Sequence, residues 1–231
     1  MVLFAGPLVS LISQHSFAVQ TFDNRHQHGS NTQANNFDPD QHIEPVIQIY
    51  AARTWGVKGA VAVHTWISTK RAGADHYTSY QIIGWRHLYG NRSPLVVTES
   101  RIPKQSWYGK PASLLLDLRG DQYQQTIDDI EQAIVSYPYL DTYTTWPGPN
   151  SNTFTAHVAR LVPALGLDLP ATAIGKDYRS ISNSIGSSPS RTGVQASLFG
   201  LLGVTVGFEE GLELNILSLN FELDLFDLAI E

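Results

Sequence analysis

TWPGPNSNTFTAHVARLV, residues 145–162, is the stretch on which the reading of this chain turns. Pro147, Gly148 and Pro149 make a rigid turn, and the chain then enters an amphipathic helix that has to end before Pro163. Asn150, Ser151, Asn152 and Thr153 are all residue types that cap helices, so a cap accounts for any one of them. The same position has a second meaning. A side chain at the first helical residues faces unpaired backbone N–H groups and the positive end of the helix dipole. Ser151 therefore reads either as a cap or as a nucleophile, with the Ser151 and Asn152 N–H groups stabilising an oxyanion.

Upstream lies a second helix, DQYQQTIDDIEQAIVSY (121–137), with Tyr123, Ile127, Ile130 and Ile134 on one face and Pro138 as its stop. The remaining ordered text is β-rich. IEPVIQIYAAR (43–53), GAVAVHTWIST (59–69) and TSYQIIGWRHL (78–88) read as strands. The last two form a hairpin across KRAGAD, with Gly73 available for a positive φ. PLVVTES, LLLDL and TYTTW read as further strands. In GAVAVHTWIST, alternation puts His64 on one face with Trp66 and Ser68, opposite Val63 and Ile67. His64 is thus a candidate general base for Ser151, set against the ordinary reading of a lone buried histidine.

From Leu212 the apolar residues alternate, with one change of parity near Ile216–Leu217 that a β-bulge would explain. A VTVGF strand and the turn Glu209-Glu210-Gly211 complete a C-terminal hairpin. Its acidic positions read as the solvated face of that hairpin.

The 231 residues suit one domain, and 42% hydrophobic residues can supply its core. Net charge is −6, but residues 208–231 carry seven acids and no base, so the body is near neutral. That argues against a nucleic-acid partner. The absence of cysteine excludes disulfides, thiolate zinc sites and a thiol nucleophile, and no metal or other cofactor is expected. Phosphate-loop, dinucleotide, zincin and nucleophile-elbow motifs are missing. MVLFAGPLVSLI (1–12) is too short to span a bilayer as a helix. Its length suits the apolar part of an export signal or anchor, or else an element packed on the domain. The Asn, Gln and His-rich text that follows, to Gln41, reads as a linker. His26 and His28 lie there without a carboxylate at ligand spacing. The expected organisation is an N-terminal run and linker over 1–41, then one α+β domain over 42–231.

The motifs AVHTWI, YQIIGW, LLLDLRG, SYPY, GPNSNTFTA, LPATAIGKDY and SLFGLLG…EEGLELN resemble an uncharacterised bacterial family of unknown function, DUF3750-like, from about residue 43 to about 221. Its members usually begin with an apolar stretch like an export signal or anchor. More distantly, a strand His followed by Asn-nucleophile-x-x-Phe at a helix start is similar to circularly permuted papain-like proteins of the NlpC/P60 superfamily. Here that pattern is Asn150-Ser151-Asn152-Thr153-Phe154, with serine in place of the superfamily's cysteine.

The resemblance implies an antiparallel sheet, two principal helices and a permuted papain-like core. It implies Ser151 as nucleophile, His64 as base and a third polar residue from the next strand, Gln81, with Tyr80 and His76 as alternatives. Asn150, Asn152 and Trp66 would line the site. Apart from the resemblance, Lys176 and Asp177 in AIGKDY read as an ion pair closing a loop or as binders of a substrate carboxylate or phosphate. Trp66, Trp85, Trp107 and Trp146 would line a groove or lie in the core. The implied partner is a peptide, lipid or glycopeptide held in a cleft of a cell-envelope protein. The opposing implication is a binding module that has lost the thiol.

Overall fold

The computed structural model describes residues 38–223, except 91 and 104. The apolar run at 1–12 and the histidines at 26 and 28 lie outside them, as does the linker up to residue 37. Residues Pro39–Gln41 form a single 3-10 turn.

In chain order the strands and helices are β1 (Val46–Arg53), β2 (Val63–Lys70), β3 (Tyr77–Ile82), α1 (Gly84–Gly90), β4 (Leu95–Ser100), β5 (Ser106–Trp107), β6 (Lys110–Pro111), β7 (Ser113–Arg119), α2 (Gln124–Val135), α3 (Ser151–Leu161), β8 (Ile185–Ser187), β9 (Gly193–Leu198), β10 (Leu202–Gly207), β11 (Gly211–Ile216) and β12 (Leu219–Leu223). They make an α+β fold with two five-stranded antiparallel sheets, ordered β4-β3-β2-β1-β7 and β12-β11-β10-β9-β8, and a small β5-β6 hairpin. TYTTW forms no strand, and the second half of TSYQIIGWRHL turns into α1.

β2 is the central strand of the first sheet, and its two faces differ. Val63 and Ile67 join Ile47, Ile49, Ala51, Tyr80 and Ile82 on the face that α2 and α3 cover. The helices contribute Ile127, Ile130 and Ile134 from α2 and Phe154 and Val158 from α3, the helical spacing that the sequence displays. Between β2 and β3, Gly73 takes a φ of 67° in the connecting turn. The opposite face carries Tyr50, Ala52, Trp66 and, from the β5-β6 hairpin, Trp107. That hairpin turns through Tyr108 and Gly109, both at positive φ.

The pairing along β2 is unequal. β1 stays in register with it over its whole length, from Val46↔Lys70 to Arg53↔Val63. β3 pairs with it only from Thr69↔Thr78 to Ile67↔Tyr80, although β3 runs on beside β4 to Ile82. Beyond Ile67 and Tyr80 the ladder therefore opens, leaving His64, Thr65 and Trp66 on one side and Gln81 and Ile82 on the other.

The C-terminal region departs from the sequence reading in three ways. Instead of one hairpin it is a five-stranded meander. The parity change near Ile216 is no bulge: Ile216 pairs with Leu219 across a two-residue turn, and Leu217 and Ser218 both take positive φ. The polar face, read as solvated, points inward. Gln195, Thr205, Glu213, Asn215 and Glu222 are all buried. The reason is the segment 160–179, which brings its own charges to that face. Lys176 Nζ donates to the Glu213 carboxylate and, at 2.6 Å, to the Leu169 carbonyl. Asp177 accepts from Gln195 Nε2 at 2.5 Å and Asn215 Nδ2 at 2.8 Å. Arg160 and Arg179 both donate to Gln195 Oε1.

This enclosed set has more acid than base around Lys176. Burial pushes the Glu213 carboxyl up to about 7, and the attraction of Lys176 offsets this only in part. Burial likewise holds Asp168 well above the usual carboxylate range. Folded Glu213 thus keeps a proton that the unfolded chain has released, so its contribution to stability falls as pH rises. The window runs from the ordinary value of 4.5 up to about 7. The expected loss across it is about 3 kcal/mol. Urea midpoints measured from pH 4.5 to 8 should fall through this window, and Glu213→Gln should flatten the slope.

Candidate functional site

Helix α3 begins at Ser151, and its cap is Asn150. Asn150 Oδ1 accepts from the backbone N–H of Asn152 at 2.9 Å and of Thr153 at 3.2 Å. Thr153 Oγ1 accepts in return from the Asn150 N–H at 3.1 Å, completing a capping box. The cap is itself anchored by the AIGKDY segment. Asn150 Nδ2 and Asn152 Nδ2 both donate to the Ile174 carbonyl, and Thr153 Oγ1 donates to Gly175 O. Gly175 sits at a φ of 97°, and a Cβ there would come within 2.4 Å of the Asn150 amide. The glycine is what lets the loop close on the cap.

Asn150 does the capping, so Ser151 is the first residue of the helix and not its cap. Its side chain is 4% exposed, and among the described residues its hydroxyl makes no hydrogen bond. The expected oxyanion pair is corrected by the same geometry, since the Asn152 N–H is committed to Asn150. Only the Ser151 N–H remains of the two donors.

The helix start is docked onto β2 where the ladder opens. Thr65 Oγ1 donates to Asn152 Oδ1 at 3.0 Å, shares a 2.8 Å hydrogen bond with the Thr155 hydroxyl, and lies 3.5 Å from the Ser151 carbonyl oxygen. Asn152 Nδ2 also reaches Val63 O at 3.0 Å. Thr65 is thus the residue that ties β2 to Ser151, a role the sequence reading missed.

His64 adjoins Thr65 in the chain and shares its strand face with Trp66. Its ring lies parallel to that of Trp107, with centroids 3.7 Å apart, and 5.7 Å from that of Trp66. His64 Nε2 is 3.3 Å from Gln81 Oε1, across the opened ladder. Of the three alternatives for a third polar residue, Gln81 is the one whose side chain meets the ring. Tyr80 instead donates to Glu131, and His76 pairs with Asp75.

The other expected binding residues are placed differently. Asn150 and Asn152 are spent on the cap and its anchors. Trp66 is wholly enclosed in the sheet core. Lys176 and Asp177 are buried in the interface with the second sheet, Lys176 paired with Glu213 and Asp177 hydrogen-bonded by Gln195 and Asn215. Trp85 and Tyr108, both partly exposed, extend the aromatic cluster from Trp107 to the surface. Among the described residues no group of three or more His, Asp or Glu is placed to hold a metal ion.

Fold and site together define an α+β protein in which a capped helix start meets a histidine-bearing central strand at a gap in its sheet. Residues 44–178 match the family described as "Protein of unknown function (DUF3750)", and the chain belongs to that family. No curated protein and no solved structure matches it.

Proposed function

We propose that the protein is a serine-dependent hydrolase or acyltransferase acting on amide or ester bonds, with its site arranged as in permuted papain-like enzymes. The observation that supports this reading is the docking of the Ser151 helix start onto Thr65, the chain neighbour of His64, at the gap in the ladder; the His64 ring itself lies against Trp107 on the sheet face opposite α3. With Gln81 Oε1 accepting from Nε2–H, the imidazole lone pair sits on Nδ1, the tautomer a general base requires. In this reading Ser151 Oγ attacks the acyl carbon, its proton passes to His64 through the gap between β2 and β3, and the Ser151 N–H donates to the developing oxyanion. The leaving amine or alcohol departs with the proton from His64. Water, or an acceptor alcohol or amine, then releases the acyl group by the reverse steps. A serine needs such a base more than a cysteine does, because its hydroxyl is far harder to ionise.

The substrates in this reading are peptides, lipids or glycopeptides of the bacterial cell envelope. The apolar run at residues 1–12 would serve export or anchoring. Among the described residues no helix is long and apolar enough to cross a membrane. A second reading, a binding module without turnover, is favoured by two observations: the commitment of the Asn152 N–H to the cap removes half of the expected oxyanion site, and the His64 ring packs on Trp107, on the sheet face opposite the helix that starts at Ser151.

A fluorophosphonate probe separates the two. In the enzyme reading the probe labels Ser151, Ser151→Ala abolishes labelling, and His64→Ala slows it by about 10²–10⁴-fold. Ser151→Cys gives the only thiol in the chain. It should alkylate faster than a free thiol, since the helix N-terminus and the nearby imidazole favour the thiolate. A wild type inert to serine probes, with an unactivated thiol at position 151, leaves the binding module.

A further inference from the structure

The inward turn of the polar face leaves the other face of the second sheet to the outside, and that face is apolar throughout. Its register sets twelve side chains in three rows across β9, β10, β11 and β12. The rows are Val194–Val206–Leu212–Leu223, Ala196–Val204–Leu214–Phe221 and Leu198–Leu202–Ile216–Leu219. No charged or hydrogen-bonding side chain interrupts them. Eight of the twelve are exposed, among them Leu202 at 61% and Phe221 at 53%. Ile185 on β8 extends the middle row and is exposed as well. Together they present on the order of 800 Å² of apolar surface, above the largest patch of an ordinary monomer and close to what each partner gives a stable interface.

From this surface we infer that the protein is a homodimer, with the second sheets of two copies packed face to face about a two-fold axis. An apolar sheet face can pack on its own copy, because rows of aliphatic side chains interdigitate when two sheets stack about 10 Å apart. The surroundings favour a protein mate over a bilayer. Residues 180–223 contain one basic residue, Arg191, against four acids, and neither Trp nor Tyr. Surfaces that lie on anionic membranes are instead ringed by Lys, Arg and interfacial aromatics. Val204 and Leu214, paired in the middle row, fall at the centre of the buried area.

Sedimentation velocity of the full chain from 1 to 100 µM tests this. The expected species has twice the mass of the chain, and Val204→Glu, which sets two carboxylates against each other at the centre, should weaken dimerisation at least 100-fold. Val204→Cys keeps the face apolar and serves if the glutamate variant fails to fold. A short bis-maleimide should link its two copies at 1 µM, whereas Val57→Cys, on an exposed turn of the other half, should not link. A wild type monomeric at 100 µM overturns the inference. So does a Val204→Glu dimer as tight as wild type, or equal linking at positions 204 and 57. A wild type that stays monomeric and floats with phosphatidylcholine vesicles assigns the face to lipid, and one whose face is protected only while residues 1–37 are present assigns it to the chain itself. Either result also overturns the dimer.

Discussion

Replacing Lys176 with methionine should cost about 3–5 kcal/mol, a large fraction of the stability of a typical domain. The ammonium is fully enclosed and serves Glu213 directly. Burial alone would lower its pKa, but the surrounding Glu213, Asp168, Asp177 and Glu222 carboxylates overcome that and raise it. Methionine fills the space of the lysine stem but leaves the acids without a counter-charge. Breaking one side of such a pair is costly, whereas exchanging both sides for apolar groups often is not. Lys176→Met combined with Glu213→Leu should therefore recover most of the loss. Urea denaturation of the two variants at pH 7.5 checks this, and equal destabilisation of single and double variants would mean that packing, not charge, holds the segment.

Trp107→Ala should be nearly as severe, about 3–5 kcal/mol, as is usual for deleting a buried tryptophan. Its ring covers His64, and it also packs edge-on against Tyr108 and tilted against Trp85. Removing it opens a cavity on the face of the sheet opposite α2 and α3. It also uncovers the imidazole, so the His64 ring-proton resonances should shift by NMR. Trp107→Phe keeps a stacking partner and should retain most of the stability. A His64 resonance unchanged in Trp107→Ala would show that Trp107 does not cover the ring.

The parts of the fold legible in the sequence are those where one local rule dominates. The α2 stripe of isoleucines, the proline stops, the Gly73 turn and the start of α3 at Ser151 follow from periodicity and backbone chemistry alone. The inverted second sheet was not legible for a definite reason. Alternation separates two faces of a strand but does not say which one is inside, and the apolar face is the natural choice. That choice failed because buried charges on a separate segment, Lys176 and Asp177, neutralise and hydrogen-bond the polar face. The two-residue turn at Leu217–Ser218 was hidden by its composition, since a leucine at positive φ carries no turn signal. At the site, Asn150 and Thr153 stand at the spacing of a capping box, which could have assigned the cap and spared Ser151 that role. The closeness of Thr65 to Ser151 joins residues 86 apart and had no sequence signal.

The family match ends at Tyr178, yet the chain cannot be divided there without consequence. A truncation at that residue would strip Glu213 from Lys176, Gln195 from Arg160 and both amide partners from Asp177, while Ile174 and Gly175 of the same segment hold the helix cap at Ser151. The second sheet has no greasy interior of its own; what it buries is borrowed from the preceding loop. The edge of the family match and the edge of the interlocked structure are therefore different places, and a fragment drawn to the first would loosen the start of α3 at Ser151.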